Sequence, residues 1–568
     1  MKITKSVSKN SLTYYLSKSV RINGKSTTIT IERIGSAEEV RQRAGDVDVE
    51  LWLKQYARER TAQEKAENAE IVLRYSPAKQ IEKGQQAIVN VGYLFLQDIY
   101  YQLGLQKICR EITKKYQFTY DLNSVLSCLI YARVIYPGSR AATHELSKRF
   151  LEAPGCELQH LYRGLEILCR EDDLIQAKLF RNSEKVVLRK KEILYYDCTN
   201  YYFETEEEDD FRKYGISKEH RPNPIVQMGL FMDADGIPLS FSIFNGNENE
   251  QQSLKPLERK IISEYGLDEF VVCTDGGLGS LENRRFNDRF GRKFITTQSL
   301  KKLKGFLKEF ALGRDGWRLV GSDKTYHLDE IDEEFFKDAV FYKDRWINEN
   351  GLEQRLIVTY SVKRKNYQRW IRNKQIEKAE SAIRSGETHS PGQSSYKRLI
   401  HTRYCTSEGE AAETSIRRLA VEKIEHEERF DGFYAVCTNL DVNPAHIIQI
   451  NHNRWQIENC FRLMKSELKA RPVYLSRKDR ITAHFQSCFL ALVIFKILQL
   501  KLKNRFTSEE IIAALRDMNM KIVPGQGFIP LYMRTDLTDA LHDAFGFRTD
   551  RQIVSAAQMK SICAKTKR

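Results

Sequence analysis

The chain has 568 residues, with 91 Lys or Arg against 76 Asp or Glu, which gives a net charge of +15 at pH 7 and a pI near 9.1. That length exceeds one hydrophobic core, so we expect about two to four domains. The positive charge favours a polyanionic partner, most commonly nucleic acid. The eleven cysteines contain no C-x-x-C pair, which argues against a zinc finger or a disulfide framework.

Two further features argue against export and membrane insertion. Residues 1–6 are mostly polar and lack the apolar run of a signal peptide. The longest apolar patch, residues 489–498, is interrupted by Lys496 and is too short for a membrane span. We therefore expect a cytoplasmic protein without a membrane partner.

The N-terminal residues 1–75 are predicted to form a β-hairpin and a connector. Residues 11–33 alternate around Asn23-Gly24, a strong signal for a two-residue hairpin turn. Two roles fit the basic and aromatic surface of this hairpin, contact with DNA or an ordinary sheet edge. Residues 37–70 are highly charged and helical in pattern, as expected of a connecting segment.

Residues 86–186 are predicted to form a helical domain, because apolar residues there recur at helical spacing. Pro137-Gly138 marks a break between two of its helices. Three roles remain open for this domain: DNA binding, dimerisation, or support of the core.

From Glu192 the pattern changes to strands. Residues 193–197, 225–232 and 237–244 predict three antiparallel strands, the last two joined by a tight turn at residues 233–236. A helix, a buried strand ending at Asp275, another helix and a short strand follow. These elements predict a mixed α/β layer.

The core is predicted to be interrupted and then to resume. Residues 301–428 mix short strands, charged helices and a loop at 385–395, which indicates an insertion. Residues 190–300 and 429–475 would form the catalytic core. Residues 476–568 are predicted to be a C-terminal helical region, with a capping box at Thr507-Ser-Glu-Glu510.

Residues 445–470 contain no Gly or Pro and predict one continuous helix. Arg454, Glu458 and Lys465 lie four and then seven residues apart, so they share one stripe of that helix. Taken alone, this stripe is also typical of an exposed helix with favourable charge pairs.

Three carboxylates stand at distinctive places in this pattern. Asp197 ends one predicted strand, Asp275 ends a second, and Glu458 lies on the later helix. Neighbouring strands lie about 5 Å apart, so the two aspartates would converge if their strands pair. Clustered carboxylates are stable when divalent cations hold them, and oxygen ligands suit Mg²⁺ or Mn²⁺. Two such ions clamp the attacking and leaving oxygens of a phosphodiester.

This order of carboxylates on an interrupted mixed sheet resembles the DDE transposases of bacterial insertion sequences. One group of them carries a Y-x2-R-x3-E-x6-K motif and a β-rich insertion before the glutamate. Arg454-x3-Glu458-x6-Lys465 matches three of the four motif positions, and Asn451 stands at the tyrosine position. The segments Asp197-Cys-Thr-Asn, Asp275-Gly-Gly-Leu and Arg471-Pro-Val-Tyr are also similar to the family.

The resemblance implies an RNase H-like fold and a DNA transposase. Asp197, Asp275 and Glu458 would then be the catalytic ligands of two Mg²⁺ or Mn²⁺ ions, and Arg454 and Lys465 would grip phosphates. The enzyme would hydrolyse phosphodiesters at the inverted repeats of its element and transfer the strand to target DNA. It would act at the nucleoid as a homodimer or higher multimer. The alternatives are an RNase H-like nuclease or resolvase, and an inactive DNA-binding protein.

Two basic clusters are candidate DNA contacts, although each is also compatible with a solvated charged face. Residues 284–308 hold nine Lys or Arg against one acid, and residues 363–374 interleave cations with aromatic side chains. The predicted contacts are Lys301, Lys302, Lys304, Arg364, Arg369 and Trp370. In related enzymes an aromatic side chain of the insertion accepts a flipped base, which suits Trp346 or Trp370.

Other polar residues compete for these roles. The acidic run at 204–210 is expected to be a solvated loop rather than a set of metal ligands. Asp233 and Asp235 fit a turn better than catalysis. His452 is expected on the surface or in the core, and His484 could face either the core or a phosphate.

Overall fold

The computed structural model describes the chain except residues 9–10, 23–24, 46, 68–71, 74–75, 79, 81, 323, 386–395 and 404–415. The chain forms two compact units, Met1–Gln85 and Gln86–Arg568. Each unit has its own cluster of buried apolar side chains. The finer division into five regions predicted above stays a prediction.

The first unit is a three-stranded antiparallel sheet with two helices. Its elements are β1 (Lys2–Ser8), β2 (Ser11–Ile22), β3 (Lys25–Ser36), α1 (Ala37–Ala44) and α2 (Val49–Glu67). Strands β2 and β3 form the predicted hairpin, and its turn residues Asn23-Gly24 lie outside the described residues. Strand β1 was not predicted, because the residues of this strand are mostly exposed and pair through the backbone without a clear apolar alternation.

The second unit begins with one short strand and six helices. These are β4 (Ile88–Asn90), α3 (Tyr93–Gln102), α4 (Leu105–Tyr116), α5 (Leu122–Ile135), α6 (Arg140–Ser147), α7 (Leu158–Arg170) and α8 (Asp172–Val186). The break at Pro137-Gly138 separates α5 from α6, as predicted. Helix α6 starts at Ser139, whose hydroxyl accepts a hydrogen bond from the Ala142 backbone at 3.2 Å.

The central sheet has the RNase H-like arrangement that the resemblance implied. Its first elements are β5 (Ile193–Tyr202), β6 (Ile225–Asp233), β7 (Pro238–Asn245), α9 (Glu250–Lys260), β8 (Val271–Thr274), α10 (Leu281–Asp288) and β9 (Lys293–Gln298). The strand order is β7-β6-β5-β8-β9. Strands β5, β6 and β7 are antiparallel, whereas β5, β8 and β9 run parallel. The carboxyl end of β8 lies beside the middle of β5, because Thr274, the last residue of β8, pairs with Tyr196.

The insertion adds strands to the same sheet. Its elements, and the strand that follows it, are α11 (Gly305–Leu312), β10 (Trp317–Leu319), β11 (Thr325–Tyr326), β12 (Phe341–Glu349), β13 (Leu352–Tyr360), α12 (Val362–Ser385), β14 (Ile400–Arg403), β15 (Ile416–Leu419), α13 (Val421–Glu428) and β16 (Phe433–Thr438). The sheet continues from β9 through β16, β13, β12 and β10 to β11. Most of the loop predicted at 385–395 lies outside the described residues, since α12 ends at Ser385.

The continuous helix predicted over residues 445–470 is wrong. Two helices, α14 (Pro444–His452) and α15 (Trp455–Ser466), meet at a tight turn. The backbone of Asn453 and Arg454 bonds to carbonyls three residues earlier. The Ile450 carbonyl also accepts a hydrogen bond from the Tyr195 hydroxyl at 2.9 Å. This carbonyl therefore accepts from both the Asn453 backbone and the sheet, at the point where the two helices meet.

The C-terminal region is not purely helical as predicted. It contains α16 (Lys478–Lys501), α17 (Ser508–Asp517), β17 (Asn519–Val523), β18 (Gly527–Pro530), α18 (Asp536–Phe545), β19 (Val554–Ser555) and α19 (Ala556–Lys565). The predicted capping box at Thr507 starts α17. Strands β17–β19 form a small sheet with β4, a pairing across some 430 residues that no local pattern signals.

Helix α16 is longer than the apolar patch at 489–498 suggested. The helix has 24 residues, and an 18-residue window within it has a mean hydropathy of 1.8, values that would by themselves allow a membrane span. In this structure 89% of that window is buried inside the protein. Core helices of soluble proteins have the same length and composition, so one such helix is weak evidence for a membrane. In this fold α16 packs against α3, α5 and α7.

Candidate active site

Asp197 and Asp275 lie at neighbouring positions on adjacent parallel strands. The pairing of β5 with β8 ends at Tyr196 opposite Thr274, and an aspartate is the next residue of each segment. Asp275 directly follows β8, as predicted, whereas the prediction that Asp197 ends its strand is wrong, because β5 continues to Tyr202 along its pairing with β6. Burial raises the pKa of Asp197 to about 6, and the negative charge of Asp275 adds to that rise. Lys218 acts in the opposite direction. The two carboxylates therefore repel each other at one edge of the sheet.

The residues after Asp275 let the chain turn tightly around its carboxylate. The Leu278 backbone donates a 3.0 Å hydrogen bond to Asp275 Oδ1. A Cβ atom at Gly277 would lie 3.3 Å from that same oxygen, and one at Gly276 would lie 3.0 Å from the Thr297 carbonyl. The Gly-Gly pair thus leaves one face of the carboxylate uncovered.

Arg454 stands beside this carboxylate pair. Its positive charge lowers the pKa of Asp197, although by less than burial raises it. The Arg454 side chain is mostly buried, and its Nη1 atom has no hydrogen-bond partner among the described residues. On the next turn, a Glu458 oxygen lies 3.8 Å from the guanidinium, as the i,i+4 spacing predicted.

The structure brings two of the three predicted carboxylates together. Glu458 stays on the exposed face of α15, with 64% of its side chain accessible. Within the described part of the chain, no three His, Cys, Asp or Glu side chains are close enough to hold one metal ion. The three-carboxylate site therefore stays a prediction. The Asp197–Asp275 pair by itself has the hard oxygen donors that suit Mg²⁺ or Mn²⁺.

Lys465 lies further along α15 and is paired with a residue that the sequence analysis did not identify. Its Nζ atom is 3.1 Å from Glu219 Oε1, and Arg471 contacts the other carboxylate oxygen. Burial and the neighbouring Lys218 lower the pKa of Lys465 to about 8. Glu219 is 246 residues from Lys465 in sequence, so no spacing rule could have found it.

Asn451 occupies the tyrosine position of the motif, and a tyrosine from another element contacts it. The Asn451 amide donates to the Tyr434 hydroxyl at 3.2 Å, and that hydroxyl is 2.6 Å from Thr297 Oγ1. The Arg364 guanidinium lies 4.7 Å from the centre of the Tyr434 ring. A phenol from β16 is therefore present next to the motif, which the sequence analysis missed.

The first predicted DNA patch is partly structural. Arg284 and Arg292 are buried in ion pairs with Glu349 and Glu258. Lys301 stays half exposed, 3.8 Å from Glu427. Two further cations of the patch, Lys302 and Lys304, line a pocket of about 300 Å³ together with Arg345 and the exposed ring of Trp346.

The second patch divides in the same way. Arg372 forms a buried double hydrogen bond with Asp431, and Lys365 is buried against Glu333. Arg369 and Trp370 are more than half exposed, together with Arg364 on the first turn of α12. DNA contact by the exposed members of both patches stays a prediction.

The competing residues have structural surroundings. In the acidic run, Asp209 accepts hydrogen bonds from the Phe211 backbone and from Arg212. Asp233 is fully buried against Arg189, and its Oδ1 atom accepts from the backbone of the predicted turn. His452 is exposed. His484 is buried beside Arg140.

A sequence-family model described as the transposase DDE domain matches residues 189–494, which is more than half of the chain. The chain belongs to the DDE transposase family. This transposase is an enzyme that binds, cleaves and transposes DNA, as its motifs implied. Enzymes of the family generally use divalent metal ions.

Two other comparisons accompany the family match. Among solved structures, the cryo-EM structure of the piggyBac transposase synaptic complex with hairpin DNA is similar to the transposase at 9% sequence identity. The similarity covers 84% of each chain, with a TM-score of 0.36. No curated protein matches the chain in sequence. The family assignment therefore rests on the matched DDE domain.

Proposed function

We propose that the transposase hydrolyses a phosphodiester at each end of its own bacterial insertion sequence and joins the freed 3′ ends to target DNA. The observation that supports this chemistry is the pair of neighbouring, mutually repelling carboxylates, Asp197 within β5 and Asp275 directly after the parallel strand β8. Glu458 would complete the set from α15. The protein would act as a homodimer or higher multimer on the element's inverted repeats, in the cytoplasm at the nucleoid.

Asp197 and Asp275 would hold Mg²⁺ or Mn²⁺, because a cation would offset both the burial and the repulsion from Asp275 that raise the pKa of Asp197. When bound, the ions activate the attacking oxygen and stabilise the leaving oxygen of an in-line displacement. Arg454 would contribute a planar guanidinium for a phosphate beside the scissile bond, since its Nη1 atom has no hydrogen-bond partner in the part of the chain that the structure describes. Lys465 would hold a second phosphate as a point charge.

Cleavage of labelled element ends tests the carboxylate assignment. We expect Asp197→Asn, Asp275→Asn and Glu458→Gln each to lower the cleavage rate in Mg²⁺ by at least about a hundredfold. DNA affinity should stay close to that of the wild type. Glu467→Gln is a matched control, because it removes a carboxylate just after the same helix. Cleavage by Glu458→Gln at the wild-type rate would show that Glu458 is not part of the site.

A second assay separates the proposal from a nuclease or resolvase that cuts without joining. Pre-cleaved ends with free 3′-hydroxyls are incubated with the transposase, Mg²⁺ and a supercoiled target. We expect joined products with the wild type and none with Asp275→Asn. Cleavage without any joining would favour the resolvase alternative, and the absence of both would favour an inactive DNA-binding protein.

A further inference from the structure

A pocket of about 390 Å³ lies between the start of α6 and the segment that follows α15. Four of its lining residues are cations, Arg133, Arg140, Lys469 and Arg471, and none is an acid. The other polar residues of its wall are Ser139, Tyr162, Tyr474 and His484. A protein surface with this excess of one charge in a concave, partly dry site attracts an ion of the opposite sign.

Arg140 is the feature that most needs an explanation. Its side chain is 4% exposed and its Nη1 atom is buried without a hydrogen-bond partner among the described residues. Its other terminal nitrogen lies 2.7 Å from His484 Nδ1. Burial and the repulsion from Arg133 and Arg140 hold the pKa of His484 well below its usual range, so this histidine is neutral. Nothing that lines the pocket balances the buried guanidinium.

A purely structural role accounts for part of this arrangement. Arg133 donates to the carbonyls of Leu468 and Lys469 at 3.3 and 3.2 Å, and His484 Nε2 is 2.9 Å from the Ala470 carbonyl. These bonds fix the segment after α15 on the helical region. They leave Arg140 Nη1 without a partner, and a buried donor of a charged group is costly to leave unpaired.

The pocket is continuous with the motif helix through one residue. Arg471 lines the pocket and also contacts Glu219, the carboxylate that pairs with Lys465. The cations therefore form a track from the motif lysine into the pocket. Phosphates of a DNA strand recur every few ångströms, so one strand could meet both sites. The first turn of α6 faces the same space, and a helix N-terminus also favours anions.

We propose that this pocket binds a backbone phosphate of the DNA substrate, with Arg140 and Arg471 as donors and Lys469 at its mouth. The proposal rests on the DNA-processing function proposed above and adds a binding subsite to it. Arg140 is a binding residue here, remote from the carboxylate pair. The neutral His484 orients its guanidinium by accepting one hydrogen bond.

The salt dependence of DNA affinity tests this assignment, because each neutralised phosphate contributes about 0.9 to the slope of log K against log salt. Binding of a labelled duplex is measured without divalent metal by full-length wild type, Arg140→Gln and Lys469→Gln. We expect the slope to fall by about 0.9 in Arg140→Gln and in the same direction in Lys469→Gln. Arg551→Gln, which removes an exposed cation elsewhere, should keep the wild-type slope.

Folded Arg140→Gln and Lys469→Gln proteins with wild-type affinity and slope would overturn the proposal. If Arg140→Gln does not fold, Lys469→Gln decides, because Lys469 is exposed and its loss leaves the core intact. Inorganic phosphate should compete with DNA in the wild type and not in Lys469→Gln. Phosphate binding with unchanged DNA binding in both variants would show a site for free phosphate, and would also overturn the proposal.

This experiment separates the pocket from the proposed catalytic chemistry, since it requires no cleavage. If Glu458→Gln cleaves DNA as the wild type does while the salt slope changes as expected, the carboxylate assignment is wrong and the phosphate pocket stands. If the carboxylate variants lose cleavage as expected while the salt slope is unchanged, the phosphate pocket is wrong and the carboxylate assignment stands.

Discussion

Glu219 holds a position where a phosphate oxygen would also bind. One of its oxygens lies 3.1 Å from Lys465 and the other contacts Arg471, so a single carboxylate neutralises two cations of the proposed DNA track. The sequence identified Lys465 through its spacing from Glu458. It gave no indication that an acid from the loop after β5 would cover that lysine. DNA must therefore compete with Glu219 for both cations.

We predict that Glu219→Gln raises the affinity for duplex DNA by about fivefold, which corresponds to about 1 kcal/mol, the range for a partly exposed ion pair. The substitution keeps the shape of the side chain and frees two cations for phosphates. Fluorescence anisotropy at low and high salt would measure the change, which should shrink as salt screens the charges.

Asp539→Asn provides a matched control, because this carboxylate is likewise shared by two arginines, Arg534 and Arg548. It should leave DNA affinity unchanged. Lower affinity in Glu219→Gln would show instead that the carboxylate orders the two cations for DNA binding.

At the scale of elements, Asp172 connects two helices that are far apart in sequence. It lies in the first turn of α8 and accepts hydrogen bonds from Gln176 and from Gln486 of α16, both at 2.8 Å. Burial raises the pKa of Asp172 to about 7, and Lys260 opposes part of this rise. In contrast, Gln486 Oε1 is buried without a partner among the described residues. A protonated carboxyl group or an amide at position 172 would have a hydrogen to donate to this Gln486 oxygen.

This arrangement predicts a pH-dependent stability. As pH rises, the unfolded chain loses the Asp172 proton at a pKa of about 3.9, whereas the folded protein keeps this proton until about pH 7. The free energy of unfolding should therefore fall as pH rises from about 4 to about 7. Asp172→Asn should remove this fall and raise stability at about pH 8 by about 2 kcal/mol, less than the full pKa difference implies because the residue is partly exposed.

Thermal unfolding of wild type and Asp172→Asn across this pH range measures the effect. Asp210→Asn removes an exposed carboxylate and should follow the wild type. A destabilised Asp172→Asn at both ends of the range would show that the charge of Asp172 stabilises the contact between α8 and α16.

At the scale of the whole molecule, the transposase has two units with separate cores. The core of Met1–Gln85 contains residues such as Leu16, Val40 and Leu53. The main core of Gln86–Arg568 joins the helical region, one face of the central sheet and α16, and none of its buried residues comes from the first unit. Helices separated by more than three hundred residues thus share one core, which explains why the predicted N-terminal and C-terminal helical regions meet.

We therefore predict that a fragment of residues 86–568 folds independently. Its main thermal transition should lie within about 3 °C of the corresponding transition of the full chain, because the buried cluster that runs from Val89 to Cys563 is contained in the fragment. Differential scanning calorimetry of both proteins would test this. A fragment that binds a hydrophobic dye and lacks a cooperative transition would contradict it.

Local pattern was sufficient for much of the fold. The buried strand followed by Asp275, the start of the strand that contains Asp197, the turn at Asp233 and the hairpin of β2 and β3 were all predicted, because each depends on side-chain periodicity or turn chemistry within about ten residues. The family match over residues 189–494 confirmed the transposase assignment that the motif spacing suggested. A carboxylate at the end of a strand is visible in sequence because its position is set by its own element.

The tertiary structure decided what depends on distant partners. The turn at Asn453 lies where the Tyr195 hydroxyl bonds to the Ile450 carbonyl, and the sheet of β4 with β17 joins opposite ends of the second unit. Glu219, Tyr434 and the pocket around Arg140 likewise bring together residues that are close only in the folded chain. Their positions depend on how the whole core packs, and packing leaves no periodic signal in the sequence.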